Sequence, residues 1–205
     1  MLETLWVAAA YFIGSIPFGL IFARIFCKTN VQKAGSGNIG ATNVTRLCGL
    51  PTGIATLLFD AGKGYAAVFL AVHLFLGPTG DPGKTALFIS CTGLAVILGH
   101  MYSIFLKFKG GKAVATTIGV FLCLAPAQII IAASLCILVI AWKKYVSLGS
   151  LVLVLSLPAI ILISGRLDLL VLSLATAFLV ANAHKPNIRR LIKGEEKPWR
   201  ASKPQ

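Results

Sequence analysis

Acidic residues are scarce in this sequence. It has six Asp and Glu against nineteen Lys and Arg, and only 12% of its 205 residues are charged. Soluble domains carry about a quarter charged residues, whereas here 57% are hydrophobic and the mean hydropathy is +0.88. We therefore expect an integral membrane protein. The net charge of +13 then indicates an anionic membrane face or an anionic substrate, and no nucleic-acid partner is expected.

Cysteines are few and show no metal-binding or redox pattern. Their number, five, is odd, and no two stand in a C-x-x-C arrangement. Zinc sites and disulfide frameworks are recognised by such spacings, so the sequence predicts neither. All five are expected to be packing residues in or beside apolar runs. They are Cys27, Cys48, Cys91, Cys123 and Cys136.

A cleavable signal peptide is not expected, because the first basic residue, Arg24, follows the first apolar run and Glu3 stands at the start. Apolar runs alternating with polar turns predict an all-α fold: one polytopic membrane domain over residues 1–205 with seven transmembrane helices. The fourth is short and ends before Pro126, so a re-entrant segment is the alternative. The predicted spans are 3–25, 53–76, 84–101, 113–125, 127–142, 148–164 and 167–183.

Basic residues concentrate at one end of the predicted spans, and only Lys84 and Arg166 lie at the other. By the positive-inside rule, the basic side is cytoplasmic, with the N-terminus outside and the C-terminus inside. Membrane lipid is thus an expected partner of the C-terminal tail. The tail cations expected to anchor to anionic lipid are Lys193, Lys197, Arg200 and Lys203.

Two features inside the spans have structural explanations. Pro17 removes a backbone donor and predicts a kink in the first helix. Asp60 and Lys63 stand three apart on one helix face and are expected to face the bundle interior and each other. The stretch Gly77–Thr85 narrowly misses a P-loop because Pro78 occupies the place of its first glycine, and it lies on the outer side.

Three polar motifs interrupt the hydrocarbon, all on the predicted cytoplasmic side: residues 35–46, 99–116 and 182–196. The first is rich in glycine, hydroxyl and amide groups, as a phosphate cradle requires. Its glycines also spell G-x-G-x-x-G, but a membrane helix precedes them where a dinucleotide site needs a strand. The second motif contains a Gly110–Gly111–Lys112 corner that should open the next helix, and helix N-termini bind anions readily.

Several catalytic patterns are absent. The sequence has no His-x4-Asp and no G-x-S-x-G. The cytoplasmic side has only Asp60, Glu195 and Glu196 as acids, too few for a magnesium-dependent phosphotransferase and without a carboxylate-oriented histidine of the usual kind. No metal or cofactor is expected. The site should act on a substrate that is already activated, supplying positive potential and position more than a nucleophile.

Together, the motifs resemble those of the bacterial acyl-phosphate:glycerol-3-phosphate acyltransferases, the PlsY family. The likeness covers the whole chain, and the match of Glu195 or Glu196 to the family's acid stays open. The matching residues are Gly35, Ser36, Gly37, Asn38, Gly40, Thr42, Asn43 and Arg46; Gly99, His100, Phe105, Phe108, Gly110, Gly111, Lys112, Ala115 and Thr116; and His184, Asn187, Ile188, Arg190, Leu191 and Gly194.

The resemblance implies transfer of a fatty acyl group from acyl phosphate to the 1-hydroxyl of glycerol 3-phosphate, giving lysophosphatidic acid and phosphate without a cofactor. It implies a bacterial inner-membrane enzyme whose active site faces the cytoplasm, with the soluble enzyme that makes acyl phosphate as a further partner. The competing hypothesis is a transporter or channel for a small phosphorylated anion. The spans supply few polar residues for such a path.

Roles follow from the chemistry of each residue type. Predicted catalytic residues are Ser36, Arg46, Lys107, His184 and Asn187; predicted substrate-binding residues are Gly35, Gly37, Asn38, Gly40, Thr42, Asn43, Gly110, Gly111, Lys112, Arg189 and Arg190. An unpaired cationic cluster of Arg46, Lys107, Lys112 and Arg190 should offset the charge of two phosphates. His184 is the candidate general base, with a substrate phosphate as the alternative. Ser36 as a covalent acyl carrier is disfavoured because no base is paired with it.

Overall fold

The computed structural model describes residues 1–75 and 82–199, and all regular structure within these ranges is helical. An all-α fold is thus confirmed. The chain divides into two compact units, residues 1–126 and 127–205, which are described separately; the single-domain organisation stays a prediction. Most of the near P-loop at 77–85, and the tail cations Arg200 and Lys203, lie outside the described residues.

The described part of the first unit has six α-helices, and α4 packs against each of the other five. Glycines allow the closest approaches. A Cβ at Gly64 of α4 would meet the carbonyl oxygen of Thr116 on α6, and one at Gly119 would meet that of Ala61. The helices are α1 (Leu2–Ser15), α2 (Phe18–Cys27), α3 (Ala41–Cys48), α4 (Leu50–Phe75), α5 (Pro82–Met101) and α6 (Val114–Leu124), with a 3-10 turn at Ile104–Leu106.

The first apolar run is broken between α1 and α2, which confirms the kink predicted at Pro17. Leu20 and Ile21 both donate their backbone N–H to the carbonyl oxygen of Pro17, at 3.0 Å. In an unbroken helix, Leu20 would donate to Ile16 instead. At the break, the Ile16 carbonyl oxygen accepts the N–H of Phe18 at 3.2 Å, and its second lone pair can accept from a side chain.

Up to residue 199, where the described part of the second unit ends, four α-helices are present, and α8 packs against α9 and α10. Pro158 lies inside α8. The short α10 and its counterpart α3 in the first unit were not predicted, because both are polar segments of eight residues. The helices are α7 (Pro126–Lys143), α8 (Val146–Ile163), α9 (Leu170–Ala183) and α10 (Lys185–Ile192), with a 3-10 turn at Leu167–Leu169.

Five helical segments among the described residues are long and apolar enough to cross a membrane: Leu2–Cys27, Leu50–Phe75, Gly83–Leu106, Pro126–Lys143 and Val146–Ile163. A sixth is reached if the pair Leu167–Ala183 and Lys185–Ile192, bent by 62°, counts as one span. Val114–Leu124 corresponds to the fourth predicted span and is shorter than a full crossing. All seven predicted runs are thus helical, while seven crossings and the orientation stay predictions.

One expectation about the cysteines is wrong. Cys27, at the end of α2, and Cys48, at the end of α3, form a disulfide. The spacing gave no sign of it, because the pairing depends on the intervening loop folding back to bring two helix ends together. The remaining cysteines, Cys91, Cys123 and Cys136, are free thiols.

Candidate active site

The first motif is half loop and half helix, and Asn43 holds the two halves together. Its side-chain N–H₂ donates to the carbonyl oxygens of Val31, Ala34 and Asn38 at 3.1, 3.2 and 2.9 Å. Its Oδ1 accepts the backbone N–H of Ser36 at 2.9 Å. Asn43 is 2% exposed, so its polar atoms build the loop instead of facing solvent.

Glycines shape the rest of this loop. Gly35 and Gly37 have φ of 63° and 72°, in the left-handed region that other residues rarely adopt. Gly40 precedes α3 and donates its N–H to Asn38 Oδ1 at 2.8 Å. Backbone N–H groups at the start of such a helix lack intrahelical partners and attract anions.

The predicted ligands of this motif lie in the loop before α3 and along α3 itself. Ser36 is exposed, and Asn38 and Thr42 are half-buried. Arg46 is exposed on the last turn of α3. The first motif thus brings its predicted site residues into one loop and helix.

The second motif folds its Gly110–Gly111 corner back onto the end of α5. The N–H of Gly110 donates to the carbonyl oxygen of Met101 and that of Gly111 to His100, both at 3.0 Å. A Cβ at Gly110 would meet these same backbone oxygens, and one at Gly111 would meet His100 Nε2. Only glycines fit, and the corner leads through Lys112 into α6.

Backbone strain accompanies this corner. Lys107, Phe108 and Ala113 have φ of 52°, 62° and 61° without being glycine. Such residues cost about 1–3 kcal/mol each and cluster at ligand-binding sites. Their presence on both sides of Gly110–Gly111 supports a functional interpretation.

Lys107 lines a pocket of about 390 Å³ in the first unit. Arg24 and Gln32 supply its other polar side chains. The volume lies in the range of small-molecule sites, and the cations suit an anionic group with an apolar extension. The apolar lining residues are Pro17, Leu20, Ile21, Phe105 and Leu106.

The third motif places His184 where α9 meets α10, 2% exposed. Its Nδ1 lies 2.8 Å from the carbonyl oxygen of Val180. A carbonyl oxygen only accepts, so Nδ1 carries the proton. In the neutral form of the ring, Nε2 is then the nitrogen that can accept a proton, as a general base requires.

Glu196 organises the other residues of the third motif. Its carboxylate accepts hydrogen bonds from Asn187 Nδ2, Ser147 Oγ and Arg190 Nε at 2.7, 2.8 and 2.7 Å. Burial alone would raise the pKa of Glu196, but these three hydrogen bonds and the Arg190 charge outweigh it and hold the pKa below its ordinary value. Glu195 is exposed, so Glu196 is the structurally engaged acid.

The expectation of an unpaired cationic cluster is therefore wrong for Arg190, because Glu196 follows it six positions later and folds back onto it. Arg46 and Lys112 are not free either. Arg189 is exposed on α10. Arg190, Arg46 and Lys112 are therefore not bare cations, since each has an interaction of its own.

Asp60 and Lys63 face each other as predicted, 2.9 Å apart. Sequence reasoning missed His100, whose Nδ1 lies 3.6 Å from Asp60 Oδ1. A carboxylate thus lies beside a histidine, although no local sequence motif predicts the pair. Among the described residues, no group of three or more His, Cys, Asp or Glu could hold a metal ion.

Comparison with known proteins shows which family the chain belongs to. The family model described as glycerol-3-phosphate acyltransferase matches residues 4–194. The chain belongs to this family. The glycerol-3-phosphate acyltransferase of Lawsonia intracellularis is 50% identical over 202 residues, covering 98% of both chains.

Solved structures of a family member share the fold. A crystal structure of PlsY (YgiH), an integral membrane glycerol 3-phosphate acyltransferase, in its glycerol 3-phosphate form is 34% identical with a TM-score of 0.88, covering 97% of this chain and 96% of that one. Its lysophosphatidic acid form gives a TM-score of 0.86 at the same identity, covering 97% and 95%. The three polar motifs of this acyltransferase-family chain are thus carried on a fold that matches a solved integral membrane relative.

Proposed function

We propose that this chain transfers a fatty acyl group from acyl phosphate to the 1-hydroxyl of glycerol 3-phosphate, giving lysophosphatidic acid and inorganic phosphate. The observation that carries the proposal is the family match over residues 4–194. The glycerol 3-phosphate and lysophosphatidic acid forms of the solved relative support the acceptor and the product. The donor is inferred from the resemblance and from the scarcity of acids.

The first motif is assigned to the acyl-phosphate head group. Ser36, Asn38, Thr42 and the start of α3 offer hydroxyl, amide and backbone donors within one short segment. Asn43 contributes by fixing the loop, since its own donors are used internally. Arg46 holds the charge of the phosphate.

The second motif is assigned to glycerol 3-phosphate. The Gly110–Gly111 corner allows close approach of a phosphate, and Lys112 supplies its counter-charge. Lys107 shares a pocket with Arg24 and apolar side chains, which suits a phosphorylated lipid such as the donor or the product. Each phosphate brings about −1.5 to −2 charges, so these cations reduce the repulsion between two anionic substrates.

The reaction needs no covalent enzyme intermediate. The 1-hydroxyl oxygen attacks the acyl carbon, the bond from that carbon to the phosphate oxygen breaks, and phosphate leaves as an anion. An acyl phosphate is a mixed anhydride whose leaving group needs little protonation. Positive potential and positioning are then sufficient, which agrees with a site poor in carboxylates.

His184 is assigned the proton of the attacking hydroxyl. Its Nδ1–H donates to Val180 O, which orients the ring and leaves Nε2 as the nitrogen that can accept the proton. Asn187 is held by Glu196 and either orients a substrate or donates to the developing oxyanion. We place the reaction at the cytoplasmic face of the inner membrane, with the acyl chain lying among helices because each buried CH₂ contributes ~0.8 kcal/mol.

Phosphate release tests this proposal. Purified protein in detergent, with palmitoyl phosphate, glycerol 3-phosphate and excess chelator, should release inorganic phosphate only when the acceptor is present. Omitting glycerol 3-phosphate measures simple hydrolysis. Failure to release phosphate above that background would contradict acyl transfer and favour the transport hypothesis.

A further inference from the structure

Three ionisable side chains are buried together in the first unit. None of them is among the residues assigned to the substrates. Asp60, Lys63 and His100 are 2%, 5% and 3% exposed. Buried charges inside a membrane bundle are costly even when paired, and apolar residues of similar size stabilise a core equally well or better. Stability alone therefore gives no reason for this cluster.

Lys63 connects the cluster to the break in the first apolar run. Its Nζ lies 2.9 Å from Asp60 Oδ1 and donates to the carbonyl oxygen of Ile16 at 2.8 Å. That carbonyl oxygen also accepts the backbone N–H of Phe18 at 3.2 Å, but not that of Leu20, which donates to Pro17. The ammonium is thus held from two sides, and it fixes where the Asp60 carboxylate stands.

His100 connects the cluster to the second motif. Its Nδ1 edge faces Asp60 Oδ1 at 3.6 Å. Its Nε2 edge lies against Gly111, where no Cβ would fit. The backbone of the same histidine accepts the N–H of Gly111. The His100 ring thus lies between Asp60 and the Gly110–Gly111 corner, which two backbone hydrogen bonds hold against the end of α5.

We propose that Asp60, held by Lys63, is a positioning residue for the Gly110–Gly111–Lys112 corner and acts through the His100 ring. The inference rests on the proposed function, in which this corner receives the phosphate of glycerol 3-phosphate. Asp60 then controls the affinity for the acceptor without touching it. The donor, assigned to the first motif, should be unaffected.

Steady-state kinetics with each substrate varied in turn test the proposal. Asp60→Asn keeps the side chain's shape and removes its charge, so the ring loses the negative charge that faces its Nδ1 edge. We expect the KM for glycerol 3-phosphate to rise about tenfold or more, because small misplacements of binding groups are costly. The KM for palmitoyl phosphate should stay near that of the wild type.

Asp60→Asn also leaves the Lys63 ammonium without its carboxylate, so this variant can fail to fold. The double variant Asp60→Asn/Lys63→Gln removes both charges, and a neutral pair is tolerated in a core far better than a lone charge. It should melt near the wild-type temperature and still show the raised KM for glycerol 3-phosphate. A purely structural pair would instead change the melting temperature or the active fraction and leave both KM values unchanged.

A thermodynamic cycle tests the route through His100. If Asp60 acts through the ring, Asp60→Asn combined with His100→Gln should raise the KM for glycerol 3-phosphate no further than His100→Gln alone. Additive effects would overturn the route. Thr56→Val is the matched control, since Thr56 is a buried polar residue of α4 that bonds to Thr52 of its own helix; its kinetics should match the wild type.

Lys112→Ala separates failure of this inference from failure of the proposed function. If Lys112→Ala leaves the KM for glycerol 3-phosphate unchanged, the corner does not bind the acceptor and the inference falls with that assignment. If Lys112→Ala raises this KM but neither Asp60 variant does, the acceptor site stands and the positioning role is refuted.

Discussion

At the residue scale, the cations of the first two motifs are expected to act differently. Arg46→Ala should lower kcat about a hundredfold or more, because Arg46 is assigned to charge that shifts during the reaction. Lys112→Ala should mainly raise the KM for glycerol 3-phosphate, by about tenfold or more, since a lost charged hydrogen bond costs about 1.5–3 kcal/mol. Initial rates over both substrate concentrations measure the difference. Normal kinetics in both variants would refute the charge assignment.

His184 is expected to make the rate depend on pH. His184→Ala should lower kcat/KM and flatten its decline toward acid pH, because the general base is gone. Rate profiles between pH 5 and 9 measure this for the wild type and the variant. Full activity with an unchanged profile would exclude the base role and leave a substrate phosphate as the proton acceptor.

Glu196 is expected to couple stability to pH. Its folded-state pKa lies below the ordinary 4.5, so its stabilising contribution is present above that value and is lost as the pH falls through the folded-state pKa. The melting temperature of the wild type should therefore drop on acidification more than that of Glu196→Gln. Glu195→Gln, an exposed neighbour, is the matched control and should follow the wild type. The same acid sensitivity in Glu196→Gln would contradict this account.

At the element scale, close contact between α4 and α6 depends on Gly64. Gly64→Ala should lower the melting temperature, because its Cβ would meet the backbone of Thr116 and overpacking costs about 1–3 kcal/mol. Gly62→Ala is the matched control two residues away, with nothing within 4 Å of its Cβ. It should be neutral or stabilising, since alanine favours helix over glycine by about 1 kcal/mol. Equal melting temperatures would refute the packing argument.

The disulfide joins two elements that the sequence did not show as neighbours. Cys27 and Cys48 are 21 positions apart and close the segment that carries the first motif. Closing a loop of about this length contributes about 3 kcal/mol. Disulfides are rare in the cytosol, whereas the charge pattern assigns this segment to the cytoplasmic side, so the bond and the predicted orientation favour different compartments.

The sequence predicts the helices that form because their residues are hydrophobic. It does not predict the helices that depend on particular contacts with other parts of the chain. The long apolar runs and the break at Pro17 follow directly from residue type. By contrast, α3 and α10 are short and polar, and their identity depends on contacts such as those of Asn43 and Glu196. Glu195 and Glu196 are equivalent as neighbours in sequence, and only burial distinguishes them. The place of His100 beside Asp60 depends on the packing of α4 against α5, which no local pattern encodes.

At the scale of the whole molecule, an acid-poor, cation-rich membrane protein suits an activated anionic donor. The six acids of the sequence include Asp60 and Glu196, both engaged in internal networks. Catalysis is then left to hydrogen-bond donors, cations and one histidine. Such a site favours a donor whose leaving group is already a good anion.

Comparison of acyl donors tests this claim most directly. Purified protein is given labelled glycerol 3-phosphate, excess chelator and either palmitoyl phosphate or palmitoyl-coenzyme A, and both lysophosphatidic acid and inorganic phosphate are measured. We predict that lysophosphatidic acid and phosphate form in equal amounts from palmitoyl phosphate, and that the thioester gives no product. Lysophosphatidic acid formed from the thioester and not from palmitoyl phosphate would contradict the account.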